Sequence, residues 1–276
     1  MGRSPDARAS SSLHTRLMTE IRIDGAPLYY EEHGDGEPIL CIHGTGSSSV
    51  LWVDAAAELA KRGRTILYDR RGFSRSGPAE HATGVRRHTD DAAALLAALA
   101  AGPAVVIGRS QGGEIALDLA LRYPEKVRAL ALLEGGGLSL GEGFRRWNAA
   151  LDARILAAAD TDVTTVGETL LRAVLGDEAW EGMPEALKEM FTANGAAIAA
   201  ESRGGLLDVT VEQLGSVTHP ALLVAGEDSP PEFTEVTRIL AANLPSARVE
   251  WVEGGHLINP AHPAVLRFVD EVFALR

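Results

Sequence analysis

The chain has 276 residues, 46 % hydrophobic and 23 % charged, the balance of an ordinary soluble globular protein with one α/β domain and an insertion, or two small domains. A formal net charge of −12 leaves no basic stripe of the kind that nucleic-acid binding requires. No apolar run reaches the length of a membrane span, and the single cysteine, Cys41, excludes an internal disulfide framework.

Residues 1–19 are rich in Arg and Ser and lack the apolar core of a secretory signal. They read as a disordered leader or a misassigned start, with only the composition of a transit peptide. The expected location is therefore the cytoplasm. Ile21–Ile23 and Leu28–Glu32 read as two strands around the Asp24-Gly25 turn. Pro38–His43 is a strand apolar on both faces, Leu51–Arg62 a helix and Thr65–Tyr68 the next strand. Asp90–Ala101 is a helix ended by Gly102-Pro103, Ala104–Ile107 a strand, Gly112–Tyr123 a helix and Val127–Leu133 a strand. The rhythm then breaks. From 139 to 215 the pattern is helical, with apolar spacing over Arg145–Ala159, Val163–Leu175 and Pro184–Ala200. It returns with Ala221–Ala225, Phe233–Leu244, Arg248–Val252 and Pro263–Ala274. The alternation predicts an α/β, mostly parallel, doubly wound sheet, formed by 20–138 and 216–276, with 139–215 inserted as a helical cap.

Gly108-Arg109-Ser110-Gln111-Gly112 matches G-x-S-x-G between a predicted strand and a predicted helix. Such a turn needs small neighbours so that strand and helix can approach. It lifts the serine hydroxyl above the sheet and aims the helix N-terminus at a developing oxyanion. A nucleophilic serine needs a base within hydrogen-bond reach. His256, in a Gly-flanked loop after the last strand, is the candidate, whereas His219 and His262 each precede a proline. The loop from Gly44 to Ser49 carries two glycines of a G-x-G-x-x-G fingerprint, and Asp69 ends the following strand. However, Ser49 stands at the third glycine position, and a nicotinamide site leaves the serine turn and His256 unexplained. The sequence carries neither a zincin motif nor a Walker A loop, so no metal and no cofactor is expected.

Several segments together resemble the α/β-hydrolase fold family. Cys41-Ile42-His43-Gly44-Thr45-Gly46 is similar to its oxyanion loop. The run from Tyr68 to Ser76 is similar to its D-x-x-G-x-x-x-S turn, Ser110 sits in its nucleophile elbow, and Gly254-Gly255-His256 is similar to its histidine loop. The resemblance covers nearly the whole chain outside the leader. It implies a serine hydrolase that needs no cofactor, with backbone N–H groups of Gly44 or Thr45 and of Gln111 as the oxyanion hole. Two carboxylates compete to orient His256. Asp228 follows the strand after which the family often places its acid, but one position early, since Ser229 holds the third place after Gly226. Glu134 closes an apolar strand, where a carboxylate is expensive to bury without a partner. The chain is similar in this respect to the zearalenone hydrolase (lactonase) group, which places its acid there. The cap segment from Gly176 to Met183 is similar to that group's cap as well. The resemblance favours Glu134, with Asp228 as the alternative; Trp180, which lies in the resembling segment, is the first candidate for a substrate-contacting residue of the helical insertion, with Met183 and Trp147 as the others.

The expected function is hydrolysis of a small, apolar carboxylic ester or lactone, a macrocyclic lactone included. The alternatives are a carbon–carbon bond hydrolase, a cofactor-free perhydrolase, or a hydrolase-like ligand receptor. The expected partner is a small molecule, with no nucleic acid and no membrane, and the chain is a monomer or a homodimer.

Overall fold

A computed structural model describes residues 17–78, 80–135 and 139–275. Its frame is one sheet of eight strands: β1 Leu17–Ile23, β2 Ala26–His33, β3 Pro38–Ile42, β4 Arg64–Tyr68, β5 Ala104–Arg109, β6 Val127–Leu133, β7 Ala221–Gly226 and β8 Ala247–Val252. The helices are α1 Val53–Leu59, α2 Val85–Ala98, α3 Gln111–Arg122, α4 Glu142–Thr161, α5 Val166–Leu175, α6 Asp177–Glu181, α7 Glu185–Ala193, α8 Gly195–Gly204, α9 Val211–Ser216, α10 Pro231–Asn243 and α11 Pro263–Ala274. The strand order is β1-β2-β4-β3-β5-β6-β7-β8. β1, β2 and β4 pair antiparallel, and every other neighbour is parallel. The β1–β2 hairpin turns on Asp24 and Gly25, both at positive φ as a tight two-residue turn demands. β1 starts at Leu17, so it takes in the last three residues of the segment expected as a leader. Residues 1–16 lie outside the described residues.

Helices cover both faces, which is why the parallel strands are apolar on both. Val105 and Ile107 of β5 pack with Trp52 and with Leu59 of α1 and Phe268 of α11. Val106 packs on the opposite face with Leu95 of α2, Ile115 of α3 and Val236 of α10. The doubly wound architecture expected from the sequence is thus present.

Helices α4 to α9 lie between β6 and β7. Leu151 and Ile155 of α4, Val166 and Leu170 of α5, and Ile198 of α8 bury against one another and against Phe73, which rises from the loop after β4. Three boundaries differ from expectation. α2 begins at Val85 rather than Asp90, because its first turn buries the polar His88 and Thr89, which an apolar period does not register. The helix expected over Pro184–Ala200 is broken at Asn194. That buried side chain donates to the Gly46 carbonyl (2.8 Å) and accepts from the Ser74 N–H (2.8 Å), which ties the insertion to two loops of the sheet layer. α9 is inside the insertion by sequence, yet Leu207, Val209 and Leu214 join the core beside α3.

Candidate active site

The loops at the C-terminal ends of β3, β5, β6 and β8 converge on Ser110. The serine itself is held at φ 54° and ψ −123°, a conformation that costs a non-glycine residue about 1–3 kcal/mol and persists only where its surroundings dictate it. The surroundings are two close approaches. A Cβ on Gly112 would lie 2.1 Å from the Ile42 carbonyl oxygen, and one on Gly108 would lie 2.2 Å from that of Gly112. Only glycine lets α3 start this close to β3 and β5, and the turn between them carries Ser110.

His43 fixes the facing loop. Its Nδ1–H donates to the Gly44 carbonyl (2.9 Å), and its Nε2 accepts from the Arg70 N–H (2.9 Å). Arg70 Nη2 (3.0 Å) and the Ser47 N–H (3.3 Å) donate to the same carbonyl. Carbonyl and N–H are antiparallel across a trans peptide, so the Thr45 N–H points away from this cluster. Gly44 lies against Ser110: a Cβ there would be 3.2 Å from the serine Cβ and 3.8 Å from its Oγ. On the other side, Gln111 opens α3, where an N–H has no acceptor within its own helix. Asp69 is absorbed by the loops, accepting from the Ser49 N–H (2.8 Å) and from Arg75 Nε (2.7 Å). This satisfies the acid at the position a ribose-binding carboxylate would take.

Burial, and then the Arg70 charge, pull the His43 pKa down to about 3 from 6.5. The fold therefore favours the neutral ring. The stability this contributes is complete above pH 6.5 and declines as pH falls from there toward 3. We expect the urea midpoint to fall between pH 7 and pH 5, with a shallower fall in His43→Gln, which keeps a donor and an acceptor but no titrating group. Equal pH slopes in the two proteins would count against a neutral, buried His43.

The third strand tip supplies a carboxylate. Glu134, directly after β6, is 1 % exposed and sits at φ 49°. Its Oε1 accepts from the Gly226 N–H (2.6 Å) and from Ser229 Oγ (2.8 Å), and its Oε2 lies 3.5 Å from His256 Nδ1. That last contact is long for a hydrogen bond. Asp228 is exposed and lines a groove with Gly254, His256 and Asn259. The imidazole of His256 is held between Glu134 and the ring of Phe233, whose centroid is 4.3 Å away.

Two cavities meet at Ser110 and Thr45. The larger, about 220 Å³, is lined by Gly44, Met183, Phe191, His256 and several leucines. The smaller, about 70 Å³, is lined by Gln111, Trp147, Asn148, Asp152, Glu201 and Phe233. Of the expected cap residues, Met183 and Trp147 thus face cavities that reach Ser110. Trp180 lines neither. It is buried with Leu171 and Phe191, under the Lys188 ammonium. Glu201 of α8 pairs with Arg70 and lies 3.0 Å from His88 Nε2. Burial raises its pKa, but the Arg70 charge and the His88 hydrogen bond outweigh this and hold it at about 2.

Ser229, Phe233 and Arg109 were not singled out from the sequence. Ser229 stands where the family commonly has its aspartate, which was the available signal for a partner of the acid. Arg109 had one too, a charge closing an apolar strand.

A sequence model of the alpha/beta hydrolase fold matches residues 37–263. A putative carbamate hydrolase, RutD, of Azorhizobium caulinodans is 30 % identical over 253 residues, 87 % of this chain and 92 % of that protein. The 2-(acetamidomethylene)succinate hydrolase of Mesorhizobium japonicum is 28 % identical over 275 residues, 92 % of this chain and 95 % of that one. Among solved structures, the enol-lactonase from Burkholderia xenovorans LB400 superposes with a TM-score of 0.75 at 20 % identity, covering 93 % of this chain and all (100 %) of that one. Among the described residues, no helix is long and apolar enough to cross a membrane.

Proposed function

We propose, because this chain belongs to the alpha/beta hydrolase fold family, that it is a serine hydrolase of carboxylic esters or lactones in which Ser110, His256 and Glu134 act as a triad. The observation that carries the reading is that Ser110, strained at its turn, opens into the same cavity as His256, whose other nitrogen faces the buried carboxylate of Glu134. The relatives named above support hydrolysis at a carbonyl carbon, since their names place a carbamate and 2-(acetamidomethylene)succinate as substrates.

In this mechanism Ser110 Oγ attacks the substrate carbonyl while His256 Nε2 takes its proton. Glu134 accepts the Nδ1–H, fixes the tautomer and stabilises the imidazolium. The carbonyl oxygen becomes an oxyanion facing the N–H groups of Thr45 and Gln111, which the locked Gly44 peptide and the start of α3 hold in place before the charge develops. His256 then protonates the leaving alcohol, and water, deprotonated by the same nitrogen, releases the acid. The 3.5 Å between Glu134 and His256 suits a resting enzyme, in which such bonds are long and tighten with substrate bound. The walls of Met183, Leu187 and Phe191 favour an apolar group beside the scissile bond.

An acyl panel tests the reading. It should contain p-nitrophenyl esters of graded length, small lactones and a macrocyclic lactone, with a carbon–carbon bond substrate as a contrast. Enzyme-like turnover of an ester or lactone, lost in Ser110→Ala, is the expected result. Cleavage of the carbon–carbon substrate alone would move the chain to a different reaction class.

A further inference from the structure

We propose that Arg109 is an anion-recognition residue, and that the substrate carries a carboxylate, in addition to its scissile ester or lactone, that enters the larger cavity and pairs with this guanidinium. The inference rests on the hydrolase reading for the word substrate, and on the geometry of Arg109 for the rest.

Arg109 immediately precedes Ser110 and lines the larger cavity with it. Only 8 % of its surface is accessible. A guanidinium so placed normally has a carboxylate beside it, because an unpaired charge loses its hydration without replacement. Here the only hydrogen bond it makes among the described residues is a long one, from Nη1 to the Ile258 carbonyl (3.4 Å). Its remaining neighbour of note is the Trp52 ring, with the centroid 5.7 Å from Cζ. The indole Nε1–H of Trp52, itself buried, has no acceptor among the described residues. Donors therefore outnumber acceptors around this point. Among the described residues no carboxylate acts on Arg109: burial alone moves its pKa, down to about 10, so it stays charged at neutral pH.

Other arginines of the chain provide the contrast. Arg70 pairs with Glu201 and Arg71 with Asp91, and both pairs are buried. Arg109 is buried too, though slightly less than these, lines a cavity, and has no acid beside it among the described residues. Apart from His256 it is the only ionisable residue lining that cavity among the described residues, the rest being leucines, Val174, Met183, Phe191, glycine, serines and Thr45. A single positive charge in an apolar chamber matches a monoanion. The planar fork of a guanidinium matches a carboxylate, to which it donates two parallel hydrogen bonds. A phosphate dianion would leave one charge unmatched. A carboxylate anchored there would fix which way the ester lies across Ser110, with the acidic group on the larger-cavity side and the remaining portion toward Trp147 and Asn148.

The rival role is structural, with Arg109 holding the His256 loop through the Ile258 carbonyl. Two measurements separate the roles. In the first, kcat/KM for p-nitrophenyl hydrogen glutarate is compared with that for p-nitrophenyl valerate, of equal chain length but neutral. In the second, calorimetry measures binding of monoethyl glutarate to Ser110→Ala, alone and combined with Arg109→Gln. We expect Arg109→Gln to reduce the anionic-to-neutral selectivity at least about tenfold, chiefly through KM, and to weaken monoethyl glutarate binding by a similar factor, the scale of one charge-assisted pair. Arg109→Lys should retain part of both and serves as the comparison if the glutamine variant does not fold. Equal losses on the two esters, or unchanged selectivity and binding, would overturn the proposal in favour of the loop-holding role. Failure of wild type to hydrolyse any ester, with Arg109-dependent binding intact, would remove the hydrolase reading and leave the anion site standing.

Discussion

Replacing Ser110 with alanine should lower kcat on any turned-over ester by about 10⁴-fold or more, the scale seen when the nucleophile of a serine triad is removed. The substitution keeps the Cβ and removes only the hydroxyl, so the strained turn and the fold around it persist. Unchanged circular dichroism and an unchanged urea midpoint would establish that. Because Ser110 lines the two open cavities, removing its Oγ opens no new cavity in the packed core. Substrate binding should survive as well, since Ser110 is only one of many residues lining the two cavities. A variant retaining near-wild-type turnover would remove Ser110 from the chemistry.

The second large effect concerns the acid. Glu134→Gln should reduce kcat by about 10³–10⁴-fold, because an amide facing Nδ1 permits the wrong histidine tautomer and leaves the imidazolium uncompensated. Asp228→Asn should have little effect, since that side chain is exposed and it is Glu134 that faces His256 Nδ1. The two variants assayed side by side decide between the carboxylates, and a larger loss in Asp228→Asn would reverse the assignment. Ser229 sharpens the test. Its Oγ lies 2.8 Å from Glu134 Oε1, so an aspartate at 229 would bring a carboxylate to the same neighbourhood. In wild type, Ser229→Asp sets two carboxylates against each other and should impair both folding and catalysis. Combined with Glu134→Gln, the same aspartate should recover part of the lost rate.

Much of this arrangement was legible in the amino-acid order. The glycines around Ser110 announced a close approach of helix to strand, and the continuous apolar runs announced strands covered on both faces. What was not legible depended on side chains meeting across the fold. Glu134 and Asp228 were both plausible from their strand ends. They differ because β6 and β7 are neighbours and the chain after Gly226 folds over Glu134, bringing the Gly226 N–H and Ser229 to it and leaving Asp228 outside. The break at Asn194 was hidden because its reason lies in Gly46 and Ser74, far away in sequence. Trp180 fell on the inner side of the cap because rotation of a five-residue helix about its axis has no periodic signature. Arg109 went unremarked although it broke the same rule that drew attention to Glu134, a charge at the end of an apolar strand.

The aromatic contacts also bear on how the cap influences the site. Phe144 and Trp147 of α4 pack against Phe233, with centroids 5.5 and 5.2 Å away, and Phe233 packs on His256. The wall of the smaller cavity is thereby in contact with the ring that packs on His256.

The central claim is that Ser110 is an activated nucleophile, and the most direct measurement is active-site labelling read by mass spectrometry. The protein is incubated with a fluorophosphonate, digested, and the modified peptide sequenced. The account predicts one adduct per chain on Ser110, absent in Ser110→Ala and slowed by orders of magnitude in His256→Ala. No adduct on the wild-type protein, or an adduct on another serine that persists in Ser110→Ala, would contradict it.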